Sequence, residues 1–144
     1  MSIKIAIGCD HAGFELKEQL ITYLKLKNIS VVDKGCYSLD RADYPDYGHA
    51  VATAVVNKEV NFGILMCGSG NGINMSANKH KGIRAALCWN AEIASLARQH
   101  NDANILVLPA RYISVDEAHK CIDAFITENF EGGRHQARLE KIDI

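Results

Sequence analysis

Cys67-Gly68-Ser69-Gly70-Asn71-Gly72-Ile73 sets a thiol directly against three glycines in five residues. Glycines at this density let backbone amides converge on an anion where a helix begins, and the helix dipole adds to the attraction. A thiol beside a helix N-terminus ionises more readily than a free one, so a thiolate here could remove a carbon-bound proton. The amides of Gly68, Gly70, Asn71 and Gly72 would then hold a developing enediolate oxygen. The same residues also suit a buried, inert cysteine at a strand end before an ordinary glycine turn. Two nucleotide loops are excluded. A dinucleotide fingerprint needs glycine where Ile73 stands and an acidic residue about 20 positions on, and a P-loop needs Gly-Lys-Ser/Thr.

Three further segments combine side chains able to handle a proton or an anion. In Gly8-Cys9-Asp10-His11-Ala12-Gly13 the carboxylate of Asp10 could accept sugar hydroxyl protons, and His11 could donate to a phosphate or hydroxyl. Alternatively, Asp10 caps the following helix and His11 is only exposed. Arg98-Gln99-His100-Asn101-Asp102 places an imidazole beside an amide and a carboxylate, suited to shuttling a proton at a sugar ring oxygen. His100 also falls on the apolar side of its helix, where it would be a satisfied core residue. Arg134 and Arg138 stand at i and i+4, on one helix face and spaced to clamp a phosphate, with Arg111 a candidate third cation. Paired surface arginines on a solvated helix read the same way. The six histidines and five cysteines form no Cys-x-x-Cys or His-Glu-x-x-His, and no loop is rich in carboxylates, so no essential metal is expected.

These residues need a frame. Ile3–Ile7, Ile29–Val32, Phe62–Met66, Ile83–Leu87 and Ile105–Leu108 have the apolar runs of strands, the last three covered on both faces. Between them, 14–27, a segment entered at Tyr44-Pro45-Asp46, 91–100 (Ile93, Ala97 and His100 on one side), 115–129 and 134–141 have helical spacing. Such alternation implies a parallel sheet with helices on both faces, whose ligands bind beyond the carboxyl ends of the strands. With 144 residues, no internal repeat and no linker, one domain spanning 1–144 is expected. A net charge of -1 without like-charge blocks argues against nucleic acid, and no apolar run approaches the roughly 20 residues that span a bilayer. The opening Met1-Ser2-Ile3-Lys4-Ile5 lacks a signal-peptide apolar region, and five scattered cysteines point to a reduced, cytoplasmic protein.

The motifs taken in order resemble the type B ribose-5-phosphate isomerase family, which also contains galactose-6-phosphate isomerase subunits and allose-phosphate-active relatives. The matching stretches are Gly8 to Gly13, Asp43-Tyr44-Pro45, Cys67 to Gly72, Ala77-Asn78-Lys79, Gly82-Ile83-Arg84-Ala85, Arg98 to Asn104 and Gly132-Gly133-Arg134-His135. The resemblance implies a three-layer, doubly wound α/β sandwich with a five-stranded parallel sheet and no cofactor. It implies a homodimer, with a tetramer left open, and active sites at the subunit interface. By the family pattern Cys67 is the base between C1 and C2 of the sugar phosphate, with Ser69 beside it and the Gly68–Gly72 loop as the enediolate hole. His100 opens the furanose ring, Asp10 contacts the sugar, Tyr44 positions the ring and Asn101 makes a further sugar contact. His11, Arg111, Arg134 and Arg138 match the phosphate-binding set. A second branch of the family replaces the cysteine by a glutamate in the next helix. Asn74, Met75 and Ser76 supply no carboxylate, which indicates the cysteine branch. A six-carbon sugar phosphate, a non-catalytic sugar-phosphate sensor and a thiol enzyme with a covalent intermediate remain the competing readings.

Overall fold

Alternate residues of the central strands face opposite helical layers, which is why these strands are apolar throughout. The computed structural model describes residues 2–144. Its strands are β1 (Lys4–Cys9), β2 (Ser30–Asp33), β3 (Phe62–Cys67), β4 (Ala85–Leu87) and β5 (Ile105–Pro109). The helices are α1 (Phe14–Leu26), α2 (Tyr44–Val56), α3 (Asn71–Ala77), α4 (Ala91–Asn101), α5 (Val115–Thr127) and α6 (Arg134–Leu139). A single 3-10 turn, His11–Gly13, joins β1 to α1. All strand pairs are parallel, in the order β2-β1-β3-β5-β4.

Ile5, Ile7, Ile64, Met66, Leu106 and Leu108 pack with α1, α4 and α5 on one face of the sheet. Ala6, Leu65, Cys67, Ile105 and Val107 pack with α2 and α3 on the other. The expected three-layer, doubly wound arrangement with five parallel strands is therefore what forms. Local signals set the helix starts: the side chains of Asn90 and Ser114 accept from the amides of Ile93 and Glu117, and Pro45 sits in the first turn of α2. Close approach of α2 to the sheet depends on Gly63, where an added Cβ would lie 2.6 Å from a Val51 methyl.

Two expectations need correction. The fourth strand is shorter than Ile83–Leu87, and because Ala85–Leu87 forms the sheet edge and pairs only with β5, it is half-buried although its residues pack on both faces. The buried stripe of α4 is Ala94, Ala97 and Arg98, not Ile93, Ala97 and His100. Arg98 can be buried because its guanidinium meets Asp102 and the Ala103 carbonyl and lies over Phe62 and Phe125. Lys17 on α1 is wholly buried, bonded to both Asp33 oxygens at 2.7 and 2.8 Å and to Glu18.

Candidate active site

The chain leaves β1 to one side, towards β2, and returns on the other side as β3. The carboxyl ends of β1 and β3 therefore flank the switch point where open α/β sheets bind ligands. Cys9 pairs with Met66, so Asp10 and Cys67 are the next residues along adjacent strands. Asp10 is buried; its Oδ1 accepts the Ala12 amide at 2.9 Å, so the capping role is real and the other oxygen stays available. His11 Nδ1 lies 3.1 Å from the Ala42 amide and 3.3 Å from the Ala42 carbonyl, which anchors the ring beside the segment leading into α2.

Cys67 ends β3 on its α2/α3 face and is nearly covered. The loop after it turns through Gly70 in the left-handed region at φ 82°, which admits α3 directly. Ser69 Oγ accepts from the Asn71 amide and side-chain nitrogen at 3.3 and 3.1 Å. Arg111 is drawn in from β5: its amide donates to the Gly68 carbonyl, and its Nη1 lies 3.1 Å from where a Gly68 Cβ would be. The Tyr44 ring covers Gly72 so closely that a Cβ there would fall 2.5 Å from ring carbons. Asp10, His11, Tyr44, Cys67 to Gly72 and Arg111 thus gather at one edge of the sheet. Glycine at 68 and 72 lets the side chains of Arg111 and Tyr44 close over the loop, in space a Cβ would contest.

His100, Asn101, Arg134 and Arg138 do not join them within the chain. They end α4 or form α6, which packs on α4. Three residues beyond Asn101, Asn104 accepts from Gly63 at the start of β3, so this group belongs to the amino edge of the sheet. β3 is six residues long, so at about 3.3 Å per residue the two edges lie roughly 17 Å apart. Arg134 and Arg138 are exposed, and neither forms an ion pair among the described residues. The His100 ring stacks on His135 with centroids 4.4 Å apart and 15° between planes, and Glu131 reaches towards both.

The sequence singles out no role for Glu131 and gives His135 only a place in the Gly132-Gly133-Arg134-His135 stretch; the local signal that joins the two is their i, i+4 spacing. The ligand atoms of His100, Glu131 and His135 lie within 4.8 Å of one another, the one such trio among the described residues. Nearly parallel rings send their lone pairs side by side rather than converging on one point, a poor geometry for an ion. Burial holds His135 below the usual histidine range, and Arg134 adds to the effect. The five cysteines are free and buried. Burial pushes Cys88 and Cys121 up to about 12 and raises Cys9 too, with the Cys36 thiol 3.9 Å away reinforcing it. Those three have the character of packing thiols.

Fold and site together define a doubly wound α/β protein with a thiol, a carboxylate and a guanidinium group at its switch point, the equipment for proton transfer on an anionic ligand. The profile of the ribose/galactose isomerase family matches residues 5–142. The chain is 48% identical to ribose-5-phosphate isomerase B of Escherichia coli K12 over 139 residues, 96% of this chain and 93% of that protein. A ribose 5-phosphate isomerase structure from Thermotoga maritima superposes with a TM-score of 0.98 at 50% identity, covering 99% of both chains. Ribose-5-phosphate isomerase B of Mycoplasma genitalium, solved with bound ribulose-5-phosphate, gives 0.92 at 46% identity, covering 99% of this chain and 95% of that one. The chain belongs to the ribose/galactose isomerase family.

Proposed function

We propose that this chain, acting as one domain, interconverts ribose 5-phosphate and ribulose 5-phosphate without a cofactor, as a homodimer whose active sites lie between subunits. One observation carries the reading: Cys67 stands beside Asp10 at the switch point, with a glycine loop and Arg111 against it. The names of the Escherichia coli and Thermotoga maritima relatives, and the ligand of the Mycoplasma genitalium structure, support the substrate.

In this reading His100 opens the furanose by moving the anomeric proton towards the ring oxygen. Cys67 then carries a proton between C2 and C1 while the 68–72 amides hold the enediolate oxygen. The amides of Ser69 and Gly70 donate to no other protein atom among the described residues, which suits that task. Asp10, Tyr44 and Asn101 contact the sugar. His11 and Arg111 from one subunit, with Arg134 and Arg138 from the other, hold the phosphate. The separation of roughly 17 Å between the two residue groups is too long for one sugar phosphate to bridge within a chain, and a second copy supplies the missing half. Exposed Tyr37, Leu39, Met75, Trp89 and Tyr112 give the molecule the apolar surface such pairing covers. Five unpaired thiols fit a reducing, cytoplasmic setting.

The test is turnover of ribose 5-phosphate by purified protein in chelator, beside Cys67→Ala, with allose 6-phosphate and galactose 6-phosphate for comparison. Activity strongest on the pentose, and reduced about 10²–10⁴-fold in the variant with ligand binding retained, is expected. Turnover of a hexose phosphate alone would move the substrate, and wild-type rates in Cys67→Ala would remove the base.

A further inference from the structure

His100 is held from an unusual direction. The 128–133 segment is tied to the end of α4 twice: the Glu131 amide donates to the Gln99 carbonyl at 3.0 Å, and Gln99 Nε2 donates to Glu128 at 2.8 Å. This pinning delivers the Glu131 carboxylate to 3.8 Å from His100 Nε2 and 3.7 Å from His135 Nε2. Both distances exceed a hydrogen bond, so in the resting arrangement the buried Nε2 of His135 has no partner. His135 itself is 4% exposed and lies flat under the His100 ring. A buried polar atom without a partner costs stability, and the apolar alternative, a phenylalanine, would stack equally well.

We infer that Glu131 and His135 are positioning residues for His100: the stack fixes the plane of its ring, and the carboxylate closes on Nε2 when the ring takes up a second proton. The inference rests on the assignment of ring opening to His100. In that step the anomeric hydroxyl loses its proton, the C1–O4 bond breaks and the ring oxygen gains a proton. His100 is charged in passing, and Glu131 remains a carboxylate throughout. Its carboxylate is the acidic group facing the two stacked rings, while Arg134 and Arg138 on α6 bring positive charge to the same face. Without Glu131, the cation would form beside those guanidinium groups and lose the carboxylate that faces it.

Ribulose 5-phosphate supplies the test, because its C5 oxygen is esterified and the ketose stays open-chain. Exchange of its C1 hydrogen with D2O therefore reports the Cys67 step without ring opening. In the full-length protein, Glu131→Gln and His135→Ala should lower kcat on ribose 5-phosphate about 10-fold or more, leave KM within about twofold and leave C1 exchange near the wild-type rate. Glu131→Asp should recover most of the loss. Glu131 is half exposed, so its substitution tests the idea even if His135→Ala folds poorly. Equal losses in exchange and turnover, or undiminished turnover in Glu131→Gln, would overturn the inference. Absence of ribose 5-phosphate turnover in the wild type would defeat the isomerase reading first, and this one with it.

Discussion

At the carboxyl edge of the sheet, the functional residues follow strand ends and are placed by backbone: a ladder step sets Asp10 beside Cys67, and the Arg111 amide bonds to Gly68. At the amino edge they sit on a helix end and a short helix, placed by side-chain packing: a ring stack, a pinned loop and two exposed guanidinium groups. The first group is rigid because strand geometry leaves it little freedom. The second depends on contacts that single substitutions can loosen. In the proposed dimer each site joins a rigid half, which does the carbon chemistry, to a more adjustable half, which opens the ring and grips phosphate.

The sharpest way to break this division is complementation. Cys67→Ala and His100→Asn should each be nearly inactive alone. Co-expressed, they should restore roughly a quarter of wild-type activity, because half the dimers are mixed and each carries one intact site. A mixture as inactive as its parents would place both residues in the same site of one chain.

A smaller effect separates grip from chemistry. Arg134→Ala removes a charge-assisted contact worth about 1.5–3 kcal/mol, so KM for ribose 5-phosphate should rise about tenfold or more with kcat little changed. An unchanged KM removes Arg134 from the phosphate site. Gly72→Ala probes the rigid half alone. Its methyl would fall 2.5 Å from the Tyr44 ring, and since Tyr44 is partly exposed it can swing aside. We expect a severalfold loss of catalytic efficiency at unchanged melting temperature; full activity would show that the ring placement of Tyr44 is immaterial.

The mildest effect is on stability against pH. Burial lowers the pKa of His80, helped by His49, whose ring nitrogen lies 2.8 Å away, and burial likewise lowers His135. Below the unfolded value of about 6.5 the unfolded chain then binds more protons than the folded one, so stability falls as pH drops through that range. The melting temperature should decline from pH 7.5 to pH 5.5. His80→Gln should flatten one part of that decline and His135→Phe the other; a slope unaffected by either would assign it elsewhere.

Much of this was legible in the chain. The strand runs at 62–66 and 105–108, the stripe of 115–127 and the Gly68, Gly70 and Gly72 pattern all follow from periodicity and turn chemistry, which are local. Arg134 and Arg138 do share one exposed helix. Less legible were features set by a distant partner. Lys17 shares the helix face of Leu20 and Leu24 but has the charge of an exposed residue, and it is buried with Asp33 meeting it. Ala85–Leu87 looks like an interior strand and lies at the edge because strand order, not composition, decides its neighbours.

The same distinction runs through the site. Residue type and spacing were enough to name a thiol, a carboxylate, an imidazole and a set of arginines as candidates, and the family resemblance proposed a task for each. That those groups divide between opposite edges of the sheet follows from the order β2-β1-β3-β5-β4 and from α4 running back towards the start of β5. That Glu131 and His135 gather at His100 follows from α6 folding onto α4. Neither is a property of any window of sequence, because direction along a strand and packing between helices exist only once the chain has closed on itself.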